Sequence, residues 1–376
     1  MEVDLYVVDA DAHVAECDET FDFLSQSEQQ YRPKVLRRED ARGAGDVPAA
    51  FGVITHYWQI GGRIYPKQNV EMMEEKFEEL PVGSLDLRKP SARLKDMDRQ
   101  GVDMAVVFPN LFLIMAIRNP LEEMALARSY NRWMAKCCEE DPERLCWVAL
   151  IAPRLPEASA SEIRWAKENG ASGVLLRGFE GDMTPLQSEF DPIFKTALDC
   201  DLPICSHIGH GSPAYSSMRL TVDQKTDPIS LYVPTLLLFS ALMRSDLHER
   251  FPGLRFGIIE VGSAWLPFIG PRTLWSHRKP DAAQRVIDAI RERNIYITCE
   301  EHEDLPDILR YAGSDNLVIG SDYGHPGDIS DSIYTHKNFE ARDDIDADVK
   351  KKIMSDNGLK LFGIEQRQAQ PMAANA

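Results

Sequence analysis

The chain has 376 residues, enough for one large domain or two ordinary ones, and its 44% hydrophobic and 27% charged residues are ordinary for a globular protein. With 42 basic against 60 acidic residues the net charge is −18, a balance that repels nucleic acid and anionic lipid, so neither is expected as a partner. No apolar run is long enough for a bilayer span, Glu2 and Asp4 stand where a secretory leader carries positive charge, and the seven cysteines lack CxxC spacing; reduced thiols in a cytoplasmic setting are expected.

The first strand-like run is Leu5 to Val8, and Asp11-Ala12-His13 follows directly behind it. Residues i and i+2 of an extended chain share a face, so the acid and the imidazole can reach one ion. Cys17 to about Lys95 then interrupts any regular repeat. It carries the hairpin signal Tyr57 to Tyr65 around Gly61-Gly62, which predicts a lid or interface element (residues 17–95) over the mouth of the fold.

Strand-like runs follow at Met104–Phe108, Cys146–Ile151, Gly173–Leu176, Pro203–Ser206, Leu254–Ile259, Ile295–Cys299 and Leu317–Ile319. Helical segments lie between them at Leu121–Cys138, Ser159–Asn169, Asp191–Cys200, Asp281–Arg293 and Leu305–Ala312. Unbroken apolar strands suit a parallel sheet buried on both faces, and eight strand–helix repeats predict a single (β/α)8 TIM-type barrel spanning 1–365. A second long excursion, Ile208 to Asp246, follows the fifth barrel strand, with Leu231–Met243 as a buried or interfacial helix. The Gln/Ala-rich tail 366–376 is expected to be disordered.

Metal-capable side chains recur at the strand exits. His207 closes the fifth barrel strand, Glu260 the sixth and Asp322 the eighth, and a parallel barrel gathers such ends at one mouth. Asp11, His13, His207, Glu260, His302 and Asp322 are therefore the candidate ligands of a divalent metal, with mixed nitrogen and oxygen donors suiting zinc, iron or manganese. Asp322, Glu260, His210, His325 and Arg177 are the candidate catalytic groups. Asp322 would be the proton acceptor, the loop histidines would contact substrate, and Arg177 would pair with Glu260 or bind a substrate anion.

At these residues the sequence resembles the amidohydrolase superfamily, in the branch of aminocarboxymuconate-semialdehyde and gamma-resorcylate decarboxylases. The likeness runs from Val8-Asp9-Ala10-Asp11-Ala12-His13, through Leu202-Pro203-Ile204-Cys205-Ser206-His207, to Gly320-Ser321-Asp322-Tyr323-Gly324-His325. It implies a (β/α)8 barrel holding a divalent metal on Asp11, His13, His207 and Asp322. It further implies hydrolysis or non-oxidative decarboxylation of a small anionic substrate, and a homo-oligomer or a hetero-oligomer with a paralogue. Two departures stand out. Asp11 replaces the histidine of many members, and Glu260-Val261-Gly262-Ser263 carries valine where decarboxylases align a catalytic histidine. The extra carboxylates and histidines open a second expectation, two metal ions in a dinuclear iron or manganese oxygenase. A third is a non-catalytic subunit paired with an active paralogue.

Overall fold

The computed structural model describes residues 5–37, 39–40, 55–76, 80–219, 229–324 and 333–364. Chain order gives β1 (Val8–Val14), β2 (Lys34–Arg37), β3 (His56–Ile60), β4 (Arg63–Lys67), β5 (Met104–Pro109) and β6 (Leu145–Ala149). It continues with β7 (Ala171–Leu175), β8 (Ile204–His207), β9 (Phe256–Ile259), β10 (Ile295–Cys299) and β11 (Leu317–Ile319). Strands β2 to β4 form a small antiparallel sheet. The other eight pair in parallel in the order β1-β5-β6-β7-β8-β9-β10-β11. Almost all their residues are buried, as expected of strands covered by side chains inside and by helices outside.

The sheet closes on itself where β11 returns to β1. Among the described residues a single parallel bridge joins Ala12 to Tyr323 at the seam, with Asp322 N–H donating to the Asp11 carbonyl (2.8 Å) and His13 N–H to the Tyr323 carbonyl (2.6 Å). Helices return the chain between successive strands, and the architecture is a (β/α)8 barrel. Their starts are written in the sequence. Pro120, Pro156 and Pro192 occupy opening turns, where a missing N–H costs nothing, and the Asn119 side chain caps the helix Pro120–Cys138 by accepting from Leu121 N–H (3.1 Å).

The first strand differs from expectation. It begins at Val8 rather than ending there, so Asp11 and His13 lie within the strand and not behind it. The polar alternation of Asp9, Asp11 and His13 disguises a strand whose polar face meets partners inside the barrel rather than water. Strand β2 was also hidden in the sequence, because three of its four residues are exposed and Lys34 and Arg37 are charged, the usual dress of a sheet edge.

The hairpin β3–β4 turns through Gly61 (φ 56°) and Gly62 (φ 76°), the paired left-handed conformation that a two-residue turn requires. It docks on segments that follow barrel strands. Gly61 N–H donates to Glu122 (3.0 Å), the Tyr65 hydroxyl accepts from Ala116 N–H (3.1 Å), and Asn110, just past β5, donates to Gln68 (3.3 Å). Arg63 reaches Ser216 (2.7 Å) and the Pro213 carbonyl (3.0 Å) in the excursion after β8. The hairpin is thus fastened to the C-terminal side of the barrel. The helix Ile229–Leu242 is apolar around its whole circumference, burying Leu238, Phe239 and Leu242 while Leu237 stays 50% exposed. All seven cysteines are free. Among the described residues no helix is long and apolar enough to cross a membrane. The tail 366–376 lies outside the described residues.

Candidate metal centre

Asp11, His13, His207 and Glu260 present one ligand atom each within 4.8 Å of one another, at the mouth where β1, β8 and β9 end. His207 Nε2 lies 3.2 Å from Asp11 Oδ1 and 2.9 Å from Glu260 Oε2. His13 Nε2 lies 3.4 Å from Asp11 Oδ1, 3.5 Å from Glu260 Oε2 and 3.2 Å from Asp322 Oδ1. Two imidazoles and three carboxylates therefore point at a shared space. The histidines are fully buried and Asp11 nearly so, while Glu260 and Asp322 keep 14% and 32% side-chain exposure.

Backbone carbonyls set the imidazole orientation. His13 Nδ1 faces the Pro109 carbonyl at 3.2 Å and His207 Nδ1 faces the Ile208 carbonyl at 3.3 Å. With Nδ1–H donating there, Nε2 is turned inward, and once it gives up the proton it shares with the carboxylates it offers the lone pair a ligating histidine needs. The rings meet edge to face with centroids 5.0 Å apart, and Phe108 packs against both.

Glu260 and Asp322 both adopt left-handed backbone, at φ 57° and 56°. For residues with a Cβ this conformation is costly and tends to mark functional positions. Each is pinned by its own N–H, that of Glu260 donating to Thr298 Oγ1 (2.8 Å) and that of Asp322 to the Asp11 carbonyl. The turn out of each strand aims a carboxylate back across the mouth rather than along the strand.

The electrostatics follow from crowding. Burial alone would keep His207 neutral, but Glu260 and Asp11 outweigh it and push its pKa up to about 9. His13 is likewise held well above the ordinary imidazole range, against the pull of burial, by bonds to Asp11, Asp322 and Glu260. Burial favours a neutral Asp11, yet His207 and His13 hold its carboxyl below the usual range. Without a cation, protons on the imidazoles neutralise these carboxylates. A divalent ion would satisfy the converging Asp11, His13, His207 and Glu260 in the same way, and mixed nitrogen and oxygen donors of this kind suit zinc, iron or manganese alike.

The remaining candidates are placed elsewhere or differently. His302 is 75% exposed and pairs with Glu300 at 3.0 Å, outside the converging four, because β10 ends before it and the loop carries it to solvent. His210 is buried with its ring against Tyr215, centroids 5.0 Å apart. His325 lies outside the described residues. Arg177 is engaged elsewhere than at Glu260. Its five N–H groups go to Glu180 Oε1 (3.0 Å) and Oε2 (2.7 Å), Glu123 Oε1 (2.9 Å) and the carbonyls of Phe112 (3.0 Å) and Met115 (2.6 Å). A guanidinium with every donor engaged is an internal tie with nothing left for a substrate anion. The partners of Glu260 are instead the two histidines.

Sequence reasoning missed the supports. Asp9 accepts from Ser321 N–H (2.9 Å), Ser321 Oγ (2.5 Å) and Asp11 N–H (3.2 Å), fastening the strand that carries Asp11 to the residue before Asp322. Glu303 accepts from Ser263 N–H (2.7 Å) and Oγ (2.6 Å), Ala264 N–H (2.6 Å) and Glu300 N–H (3.0 Å), holding the loop after β9. Asp9, two residues ahead of Asp11 on the polar alternation, carried a readable signal; Glu303 carried none.

A buried cluster of imidazoles and carboxylates at the C-terminal mouth of a parallel barrel defines a metal-dependent enzyme. The chain belongs to the amidohydrolase family, whose model, described as Amidohydrolase, matches residues 8–364. It is 26% identical over 275 residues to a gamma-resorcylate decarboxylase of Rhodococcus jostii (strain RHA1), an alignment covering 66% of this chain and 80% of that one. Among solved structures, an amidohydrolase from Mycobacterium avium subsp. paratuberculosis K-10 superposes with a TM-score of 0.73 at 18% identity, covering 96% of this chain and all of that one. The manganese-bound 5-carboxyvanillate decarboxylase of Novosphingobium aromaticivorans gives 0.68 at 20% identity, covering 96% and 97%.

Proposed function

We propose that the chain is a divalent-metal-dependent carboxy-lyase acting without oxidant on a small carboxylated aromatic compound. The observation that carries the reading is the convergence of Asp11, His13, His207 and Glu260, with Asp322 as the most solvent-open member of the group. Asp11, His13, His207, Glu260 and Asp322 would hold the ion. When bound, it supplies Lewis-acid polarisation of substrate oxygens and the positive charge that an anionic substrate needs among five acidic and imidazole groups. The decarboxylase names and bound manganese of relatives support both the reaction class and a manganese-type ion.

Decarboxylation without oxidation breaks the bond from ring carbon to carboxylate, leaves that electron pair on carbon and replaces the lost CO2 with a proton. Val261, buried in the loop after β9, offers no imidazole for the task. Asp322 takes it in this reading. A protonated Asp322 delivers its proton to the ring carbon, CO2 departs, and the carboxylate regains a proton from solvent through its exposed edge. The hairpin β3–β4 would roof the substrate and keep bulk water from the transferring proton.

The test is to offer manganese-loaded protein a panel of hydroxybenzoates in deuterated water. CO2 release with one deuterium at the vacated ring position is expected, and Asp322→Asn should lose turnover while retaining the fold. Hydrolysis of amides or esters with no CO2 from any carboxylate would move the protein to the hydrolytic side of its family. A second reading, a dinuclear iron or manganese oxygenase, is favoured by Glu300. Burial first, then Glu303, Glu260 and Asp322, raise its carboxyl, and it pairs with His302. Metal analysis of protein purified without chelator separates the two, at one ion per chain or two.

A further inference from the structure

Among the described residues the closing seam of the barrel has one backbone bridge, and it carries three of the five groups in the centre: Asp11 and His13 on β1 and Asp322 beyond β11. Strands β1 and β5, in contrast, pair along most of their length. Side chains add to that short ladder in holding β1 and the end of β11 at fixed spacing, and a slip of a few tenths of an ångström would alter the 3.2 Å between His13 Nε2 and Asp322 Oδ1.

Asp9 supplies one tie, through Ser321, and Arg93, on the helix Pro90–Gln100, supplies a second that acts on His13 and Tyr323 directly. Arg93 is 1% exposed, an uncommon condition for a guanidinium, and it lies behind the seam rather than in the mouth. Its Nη2 donates to the carbonyl of His13 itself (2.9 Å), and its Nη1 to the Ser84 carbonyl (3.4 Å). The guanidinium stacks on the ring of Tyr323, the residue after Asp322, 3.9 Å from its centroid. That ring is fixed at its far end, because the Tyr323 hydroxyl donates to Asp96 Oδ2 (2.5 Å), one turn further along the same helix, and meets Ser84 Oγ at 3.1 Å. One helix therefore grips both sides of the seam through Arg93 and Asp96. A buried cation held by a carbonyl, an aromatic face and nearby carboxylates costs less than an unpaired one, but it remains an expensive way merely to fill space.

We propose that Arg93 is a positioning residue for the metal centre, acting through the His13 backbone and the Tyr323 ring to fix His13 and Asp322 relative to each other. This rests on the reading of the centre as a metal site. It adds that the affinity of the site is set from outside the barrel by a side chain that never touches the ion. Lysine in its place keeps the charge but loses the planar stack and the forked reach to two carbonyls. Tyr323→Phe keeps the stack and loses the anchor to Asp96.

The experiment is calorimetric titration of metal-free protein with Mn2+, with thermal melts of the same metal-free samples. The wild type should bind Mn2+ stoichiometrically; absence of binding there would overturn the metal reading itself. Given wild-type binding, Arg93→Lys is expected to weaken Mn2+ about tenfold or more, and Tyr323→Phe by a comparable factor. Arg255→Lys is the control. Arg255 ties Asp201 (2.7 Å) to the Leu361 carbonyl (2.8 Å) at the opposite, N-terminal end of the barrel, and its loss should lower the melting temperature without changing Mn2+ affinity. Wild-type affinity in Arg93→Lys or Tyr323→Phe would overturn the proposal, as would an equal loss in Arg255→Lys. If Arg93→Lys does not fold, Tyr323→Phe decides. If neither folds, Arg93 is a stability residue and the proposal fails.

Discussion

Glu16, two residues beyond β1, is a carboxyl placed where water cannot reach it. Burial pushes its pKa up to about 7, against the backbone N–H groups of Leu111 and Asn110 that donate to its oxygens at 2.9 and 3.1 Å. The folded protein therefore keeps a proton on Glu16 at pH values where the unfolded chain, with an ordinary carboxyl near 4.5, has released it. Folding binds more protons across that window, so stability falls as pH rises from about 4.5 to about 7, by an amount of order 3 kcal/mol for a shift of this size. The difference in denaturation free energy between wild type and Glu16→Gln should drift against the wild type over this range and level off above it. A difference that stays flat from pH 4.5 to 7 would mean that Glu16 is ionised in the fold.

The turn after β9 shows how an element is held open for chemistry. Glu260 is left-handed and Gly262 follows at φ 58°, where an added Cβ would meet Glu303 Oε1 at 2.8 Å. A segment with so little regular structure keeps its shape because Glu303 takes four donors from it and from the end of β10. Glutamine at 303 retains one acceptor oxygen and turns an amide N–H2 towards groups that also donate. Glu303→Gln should therefore lose about 2 kcal/mol in chemical denaturation and weaken metal binding through misplacement of Glu260. Unchanged stability would show that the loop is held by its own turns.

Taken as a whole, the barrel closes around charges that a cation would neutralise, so on the proposed reading its stability and its metal loading are linked. Binding an ion to the native form alone, at a concentration a hundredfold above its dissociation constant, adds about 2.7 kcal/mol and raises the melting temperature; chelator should reverse the rise. Protons compete for the same groups. Because the folded pKa of His207 is about 9, above its ordinary value of 6.5, an ion bound there would have to displace a proton through neutral pH. Mn2+ affinity should strengthen as pH rises from 6.5 towards 9, with proton release visible as buffer-dependent heat. Heat independent of the buffer would place the displaced protons elsewhere.

The one-dimensional pattern reached a long way. Unbroken apolar strands at 104–109, 145–149 and 295–299 cannot sit with one face in water, so a sheet covered on both sides was legible in advance, and the cadence of eight such runs made it a barrel. Side chains at the strand ends were equally readable, because parallel strands bring their exits to one rim, and Asp11, His13, His207 and Glu260 do meet there. Arg177 and His302 look the same as those four in a string of letters. Only packing separates them, since one buried arginine finds five acceptors nearby while one loop histidine reaches solvent. The supports of the centre, Asp9 with Ser321, Arg93 with Tyr323, and Glu303 with Ser263, join positions 40 to 312 residues apart. No local preference encodes pairings at that range; the first two exist because closing the barrel brings its two ends together, the third because β9 and β10 lie side by side.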